Sequence, residues 1–190
     1  MDYRQPHIEK YLQLGFNIVF VYGVNDKGAC GCGNECCLKP GKHPVVLGKL
    51  FGATNNVKKI MMMSSENPIA NIGILMDNHH ITLDIDINGK RNGFDTIKML
   101  EKKLGALPLT VTQKSGSGGE HRLFRCDNTG IRNRKEFVPG VDVKSKGSYI
   151  IVEPSLHRSG SIYNWVDGKS IFNFQIAKLP DKWIDFISFI

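Results

Sequence analysis

Two aspartates interrupt an apolar segment near the middle of the chain. In the stretch TLDIDINGK, Asp84 and Asp86 alternate with Leu83, Ile85 and Ile87, a period that predicts a β-strand. Aspartate is depleted in strands, and here both carboxylates would point to one face, about 6 to 7 Å apart. Oxygen ligands arranged in this way suit Mg²⁺. The alternative is a surface strand that carries acidic residues and no ligand.

Repulsion between these two carboxylates has a consequence for mutants. Like charges at this distance destabilise the strand unless a divalent cation lies between them. Without metal, this face is expected to be the most strained electrostatic position in the domain. Replacing Asp84 or Asp86 with Asn is expected to abolish catalysis and to leave the fold intact or slightly more stable.

A third aspartate lies in a similar pattern further along the chain. Asp142 stands between Val141 and Val143 in GVDVKS, and Lys144 follows two residues later on the same predicted strand face. Three carboxylates could hold two divalent ions, which can activate an attacking oxygen and stabilise a leaving one. Lys144 could then neutralise a phosphate. A plain Asp–Lys pair on a strand is the alternative.

A segment of small residues precedes a histidine in KSGSGGEHRLF. Backbone N–H groups of such a segment can surround phosphates, and His121 would begin the next strand, placed to donate to a phosphate oxygen. The segment lacks the Gly-Lys-Ser/Thr of a P-loop, which excludes that site. A flexible hairpin turn without a ligand is the alternative.

Four of the five cysteines lie between residues 30 and 37, in a segment rich in glycine and proline. Cys30, Cys32, one of Cys36 or Cys37, and His43 could surround one Zn²⁺ as a closed, structural Cys₃His site. Such spacing favours metal over disulfides in a reducing compartment. Free thiols in a flexible loop are the alternative, and the fifth cysteine, Cys126, is expected in the core.

Composition and charge limit the class of protein. The 25 Lys and Arg against 18 Asp and Glu give a net charge of +7, which favours a polyanionic partner such as nucleic acid or phosphorylated small molecules. There is no N-terminal secretion signal, and no segment approaches the roughly 20 apolar residues of a membrane span. We therefore expect a cytoplasmic protein that does not contact a membrane.

The pattern of elements predicts an α+β fold. Amphipathic segments predict helices in the N-terminal half, one of them capped by Thr54 and ending before Pro68, with Met61 to Met63 as core residues. Short strands separated by Gly-rich turns dominate the C-terminal half. No linker is evident. We therefore expect one domain over residues 1–190, with a zinc-binding loop at about residues 28–45.

Taken in order, the segments CxCxxxxCxxPGKHP, ANIGI, LDID, SGxGGxH and GVDVKxxGxYIIVxPSxHxSGxxYxW carry a likeness that none carries alone. Together they resemble the bifunctional primase–polymerase (prim-pol) domain of the archaeo-eukaryotic primase superfamily. The likeness extends from about Phe16 to the LPDKW segment near the C-terminus. The chain departs from the family pattern at Cys36 and at Glu153, where the family often has a small or apolar residue.

The resemblance implies roles for individual residues. Asp84, Asp86 and Asp142 would hold the catalytic Mg²⁺ or Mn²⁺ ions, and His121, also catalytic, would contact the triphosphate of the incoming nucleotide. The other residues expected to bind the nucleotide are Ser115, Ser117, Gly118, Gly119, Lys144, Ser155 and His157. The ligands expected for the structural Zn²⁺ are Cys30, Cys32, Cys37 and His43, with Cys36 able to exchange for its neighbour.

The same resemblance implies a fold and a reaction. The fold would be an RRM-like catalytic core with a largely antiparallel sheet, N-terminal helices and a small zinc-binding loop. The reaction would be template-directed nucleotidyl transfer, joining nucleoside triphosphates to a 3′-hydroxyl on a single-stranded or primed DNA template. A helicase or accessory domain beyond this chain would be a further partner. The rival hypotheses are a metal-dependent nuclease or phosphoesterase, and a non-catalytic zinc-bearing module that binds nucleic acid.

Overall fold

A computed structural model describes residues 2–46, 52–89, 91–127 and 130–189 of the chain, with only the backbone at Asn88. The fold is mixed α+β, as predicted, and the pairings among the described strands are antiparallel. The described helices are α1 (Gln5–Gln13), α2 (Val57–Glu66), α3 (Gly93–Leu104) and α4 (Asp181–Phe189). The described strands are β1 (Ile18–Val21), β2 (Asn71–Leu75), β3 (His80–Ile85), β4 (Ile87–Asn88), β5 (Arg91–Asn92), β6 (Thr112–Lys114), β7 (Glu120–Arg125), β8 (Arg134–Val138), β9 (Val141–Lys144), β10 (Tyr149–Ile151) and β11 (Asn164–Trp165).

The chain divides into two compact units, each made of two chain segments. The first unit spans Met1–Leu75 and Tyr149–Asn164, and the second spans Met76–Ser148 and Trp165–Ile190. Strands β2 and β3 follow each other closely in sequence, yet they enter different sheets. The short connection between them is therefore not a hairpin turn.

The first unit is built on a three-stranded sheet in the order β1-β2-β10. Both β1 and β2 are buried along their whole length, which explains why β1 and, after Asn71, β2 show no alternation of polar and apolar residues. Glu153, one of the two departures from the family pattern, has partners on α1. The Tyr11 hydroxyl donates to its carbonyl over 2.7 Å, and His7 Nε2 lies 3.1 Å from its carboxylate.

Helix α2 differs from its prediction in two details. Its N-cap is Asn56, whose side chain accepts from the Lys59 N–H, while the hydroxyl of Thr54, two residues earlier, accepts from the Asn56 N–H. Of the three consecutive methionines only Met63 is buried, because the helix turns Met61 and Met62 outward, where they are about half exposed. The prediction that all three fill the core is wrong for two of them.

The second unit is built on a six-stranded sheet in the order β11-β6-β7-β3-β9-β8. Helices α3 and α4 cover one face of this sheet, and their apolar side chains complete the core there. The buried members of that core are Ile81, Leu83, Ile85, Ile97, Leu100, Phe124, Cys126, Ile131, Val141, Val143, Leu179, Trp183 and Ile187. Burial of each such side chain stabilises the fold by about 1.5 to 3 kcal/mol. Cys126 is thus a core residue, as predicted.

The described helices contain no stretch that is long and apolar enough to cross a membrane.

Candidate active site and metal-binding loop

A row of polar side chains crosses four strands of the six-stranded sheet. Gln113 lies opposite His121, His121 lies opposite Asp84, and Asp84 lies opposite Asp142. Residues directly opposite each other in antiparallel strands place their side chains on the same face. This face is the one opposite the helix-covered core, because Leu83 and Val143, the neighbours of Asp84 and Asp142, belong to that core. The row therefore brings together three of the residues predicted from sequence to be catalytic.

Lys144 lies between the two carboxylates of the row. Its Nζ is 2.6 Å from Asp142 Oδ2 and 3.4 Å from Asp84 Oδ2, and all three side chains are largely buried. Burial alone would lower the pKa of Lys144, but Asp84 and Asp142 together raise it. An ammonium is thus held where two carboxylate oxygens face each other.

The charge of Asp84 is compensated in this structure. Burial would raise its pKa, but His121 Nε2, 3.3 Å from Oδ1, and the Lys144 ammonium outweigh burial and hold the pKa well below its usual range. The sequence predicts electrostatic strain between Asp84 and Asp86 without metal, whereas in the structure His121 and Lys144 stabilise the Asp84 carboxylate. For the same reason, replacing Asp84 with Asn is no longer expected to stabilise the fold.

Gln113 fixes the orientation of the His121 ring. It is fully buried, and its amide nitrogen lies 2.9 Å from His121 Nδ1. An amide nitrogen can only donate, so Nδ1 accepts and the ring proton lies on Nε2, which faces Asp84. The contact holds His121 as a donor toward Asp84, on the face of the sheet that carries the polar row.

Asp142 is anchored by an irregular part of strand β8. The β8–β9 pairing shifts register between Arg134 and Val138, and within that irregular segment Glu136 has a positive φ of 51°. The Glu136 N–H donates to Asp142 Oδ1 over 2.6 Å. A bulge of this kind redirects backbone groups out of the ladder, and here it supplies a donor to a candidate metal ligand.

Asp86 lies just past the end of β3 and is fixed by its backbone. Its N–H donates to the Gly140 carbonyl over 2.8 Å, and its own carbonyl accepts from the Gly93 N–H over 2.9 Å. Gly140 has a φ of 75°, and a Cβ there would come within 2.7 Å of the Gly93 nitrogen. A glycine is required at this position, because any side chain would push the backbone away from Asp86.

The turn from Ser115 to Gly119 joins β6 to β7 beside Asp86. A Cβ on Gly119 would lie 2.4 Å from the Ile85 carbonyl oxygen and 3.3 Å from Asp86 Oδ1, so the glycine allows the turn to approach the end of β3. Within the turn, the Gly118 N–H donates to the Ser115 carbonyl, and the Gly119 N–H donates to the Ser115 hydroxyl. These two N–H groups already donate within the turn, so fewer backbone donors are available to a phosphate than the sequence predicts.

The three aspartates are not gathered into a compact group. In the part of the chain that the structure describes, only the cysteine–histidine loop brings three or more potential metal ligands within 4.8 Å of one another. Asp84 and Asp142 share the Lys144 ammonium, whereas Asp86 belongs to the segment that follows β3.

The cysteine-rich loop brings four ligand atoms together. One atom each from Cys30, Cys32, Cys37 and His43 lies within 4.8 Å of the others, and Cys30 Sγ is 3.3 Å from His43 Nε2. This spacing is close to what one tetrahedral ion with thiolate and imidazole ligands requires. Cys36 is exposed and lies outside the group.

The electrostatics of the loop favour a thiolate at Cys30. Burial would raise the pKa of this thiol, but hydrogen bonds from the backbone of Cys32 and Gly41 outweigh it and lower the pKa to about 6. Burial and then the neighbouring Cys30 and Cys32 side chains raise the pKa of Cys37. Because metal ligands must be deprotonated, the negative charge is available at Cys30 near neutral pH.

Asn71 fastens this loop to the first unit. Its buried amide nitrogen donates to the carbonyls of Gly41 and Leu156, over 3.1 and 2.7 Å, and its oxygen accepts from the Leu156 N–H. The end of the loop near His43 is therefore held on strand β2.

A protein-family model supplies the identification. The model described as "Bifunctional DNA primase/polymerase, N-terminal" (Prim-Pol) matches residues 9–182, which is most of the chain. The chain belongs to the Prim-Pol family. No curated protein matches the chain. Membership supports, in general terms, a nucleotidyltransferase of the primase/polymerase type that acts on nucleic acid and nucleoside triphosphates.

Two further positions predicted for the Prim-Pol site lie in the first unit. The buried Ser155 hydroxyl accepts from the Ile72 N–H and donates to the Ile72 carbonyl, each over 3.0 Å, which gives it a structural role on β2. His157 Nδ1 accepts from the Ser159 N–H and lies 2.9 Å from the Ser159 hydroxyl. Burial, followed by Lys42 and Arg158, lowers the pKa of His157. A contact of either residue with nucleotide stays a prediction.

Sequence reasoning missed three parts of the candidate site. Gln113 is a polar residue in a buried strand, and that pattern could have been noticed. Gly140 precedes the Val-Asp of the third aspartate, but its close approach to Gly93 is visible only in three dimensions. The hydrogen bond from the Glu136 N–H to Asp142 depends on a register shift that no sequence pattern indicates.

Proposed function

We propose that this chain catalyses template-directed nucleotidyl transfer, as a DNA primase/polymerase that joins nucleoside triphosphates to a 3′-hydroxyl. The observation that supports this most is the pair Asp84 and Asp142 facing each other across β3 and β9 with a cation, Lys144, between them. We further propose that residues 1–190 act as one catalytic domain in the cytoplasm. A helicase or accessory domain outside this chain would be a natural partner.

The carboxylates fit divalent cations. Their oxygens are the hard ligands that Mg²⁺ and Mn²⁺ prefer, and the Lys144 ammonium shows that the position between Asp84 and Asp142 suits positive charge. Asp84, Asp142 and Asp86 would hold the ions. Bound there, divalent cations would lower the pKa of the 3′-hydroxyl and offset charge on the leaving pyrophosphate.

The remaining residues of the row would orient the triphosphate. His121, whose Nε2 proton faces Asp84 in this structure, would donate to a phosphate oxygen. Lys144, released from Asp84 and Asp142 when cations bind, would turn to the phosphates. Ser115 and Ser117, whose hydroxyls lie 3.0 Å apart in the turn, would contribute hydroxyl donors, with Gly118 and Gly119 keeping the turn close to Asp86.

The cysteine-rich loop would hold one structural Zn²⁺ through Cys30, Cys32, Cys37 and His43. The donor set of three thiols and one imidazole fits zinc and leaves no position open for substrate. Its contribution would be to order a segment that has little regular structure of its own.

Primer extension tests the proposal directly. The purified chain is given a primed DNA template, nucleoside triphosphates and Mg²⁺ or Mn²⁺, and elongated products are expected on a gel. Cutting of DNA without incorporation would favour the nuclease instead. Binding without any reaction, unaffected by replacing Asp84 and Asp86 together with Ala, would favour the non-catalytic module.

Gln113→Leu tests the role of Gln113 as a positioning residue. Loss of its amide frees the His121 ring, so kcat for extension is expected to fall about tenfold, by comparison with other residues that orient a functional histidine, with KM for the template unchanged. The ¹⁵N shifts of His121 are expected to change from an Nε2–H tautomer to a mixture. Gln13→Leu, on an exposed position of α1, is the control. Unchanged shifts and kcat in Gln113→Leu would contradict the role.

A further inference from the structure

A cluster of basic side chains lies at one edge of the six-stranded sheet. Strand β8 is the outermost strand there. It begins with Arg134 and Lys135, and Arg132 lies two residues before it. Lys146 follows the adjacent strand β9 by two residues. We call Arg132, Arg134, Lys135 and Lys146 the basic edge.

Hydrogen bonds join the two segments of the basic edge. Asn133 Oδ1 accepts from the Ser145 N–H over 2.6 Å, and Asn133 Nδ2 donates to the Lys146 carbonyl over 3.2 Å. The buried Ser145 hydroxyl donates to the Ile131 carbonyl over 2.9 Å. The backbone that carries Arg132 is therefore fastened to the backbone that carries Lys146.

Among the described residues, the cations of the basic edge form no ion pair. Other cations of this unit, such as Arg91 and Lys178, do form ion pairs. The side chains of Arg132, Lys135 and Lys146 are exposed. Like charges placed together without counter-charges repel each other, so the cluster is better explained by a polyanion that binds it than by stability.

The basic edge is continuous with the candidate active site. Glu136, one residue after Lys135, donates its N–H to Asp142. Strand β9, which pairs with β8, carries both Asp142 and Lys144. A strand of nucleic acid that lies along the basic edge would thus pass beside the carboxylates.

We propose that the basic edge binds the sugar–phosphate backbone of the single-stranded template. Arginine guanidinium groups match phosphate oxygens in a bidentate manner, and cations that follow one another along an exposed chain suit consecutive phosphates of a polymer. A free nucleotide would instead need donors that converge on one point. That the bound strand is a template rests on the proposed function, whereas binding of single-stranded nucleic acid does not depend on it.

The test compares two triple variants of equal charge. Arg132→Gln, Lys135→Gln and Lys146→Gln neutralise the basic edge, and Lys98→Gln, Lys102→Gln and Lys103→Gln neutralise three exposed lysines of α3, which covers the opposite face of the sheet. Affinity for a labelled oligo-dT strand is measured by fluorescence anisotropy over a range of salt, without nucleotide. Thermal unfolding confirms that both variants are folded.

The basic-edge variant is expected to lose about 2 from the slope of log affinity against log salt, because each neutralised phosphate contact contributes about 0.7 for single strands. At about 0.1 M salt this corresponds to a loss on the order of 100-fold. The α3 variant should keep the wild-type slope. Equal slopes in the two variants would overturn the proposal.

Further outcomes separate template binding from other roles of the basic edge. Cations on an edge strand can serve to prevent pairing with another chain, so self-association of the basic-edge variant with unchanged DNA affinity would also overturn the proposal. Inorganic triphosphate is the second probe, and both variants are expected to bind it as wild type does. If only the basic-edge variant loses triphosphate, the edge serves nucleotide and not template. If the basic-edge variant has a smaller salt slope but the wild-type protein never extends a primer, the proposed binding surface is supported and the proposed polymerase activity is refuted.

Discussion

Asp84→Asn is expected to reduce primer extension about 1,000-fold or more. The carboxylate is the centre of the polar row, with His121 on one side and Asp142 and Lys144 on the other. A neutral amide cannot hold a divalent cation as a carboxylate does. The loss of several kcal/mol of transition-state stabilisation corresponds to three or more factors of ten in rate. The measurement is single-turnover extension at saturating primed template, with Mg²⁺ and with Mn²⁺.

Stability separates this result from simple unfolding. In Asp84→Asn the amide N–H₂ would face the Lys144 ammonium or the Nε2–H of His121, so a cost of about 1 to 3 kcal/mol is expected. Lys144 keeps its 2.6 Å contact with Asp142, so the variant should still fold. Asp185→Asn, on an exposed position of α4, is the matched control. Extension by Asp84→Asn above a tenth of the Asp185→Asn rate would remove Asp84 from the proposed catalytic site.

Cys37→Ser is expected to abolish stoichiometric zinc binding, while Cys36→Ser retains it. The two cysteines are neighbours in sequence, but only Cys37 belongs to the group of four ligand atoms within 4.8 Å. Structural zinc sites in small loops contribute about 10 to 16 kcal/mol of binding free energy, and loss of one ligand removes a large part of it. Metal content by mass spectrometry is expected near one zinc per chain in wild type and Cys36→Ser, and near zero in Cys37→Ser.

The thermal stability of these variants supplies a second readout. Chelation of zinc should lower the melting temperature of wild type and of Cys36→Ser toward that of Cys37→Ser, and should change Cys37→Ser little. Retention of zinc in both variants would mean that the neighbouring thiols can replace each other as ligands. Absence of zinc from the purified wild-type protein would rule out the site.

The residues with unusual chemistry could be found from the sequence, because they contradict the patterns around them. Asp84 and Asp142 stand out in apolar alternations, and the cysteine-rich loop stands out by spacing. The structure places Asp84, Asp142, His121 and Lys144 together and selects Cys37 over Cys36 in the loop. Their roles in catalysis and zinc binding remain predictions.

Other features could not be predicted, because they depend on partners distant in sequence. Neutralisation of Asp84 requires Lys144, 60 residues away, to lie across a strand pair. The helix cap at Asn56 rather than Thr54 is a choice between two nearby acceptors that the sequence leaves open. The separation of β2 and β3 into different sheets cannot be inferred from the short segment between them.

The position of the candidate catalytic side chains also depends on strand register. Side chains alternate between the two faces of a strand, so an offset of one residue exchanges them. A single inserted residue before Asp84 in β3 would turn the carboxylate toward α3 and α4, and would turn Leu83 or Ile85 onto the face of the polar row. Every such offset would place a charge in the apolar core and an apolar side chain among the polar residues at once. Insertions in β3, β7 or β9 should therefore be rejected by folding itself, whereas substitutions along the same strands can remain folded and inactive.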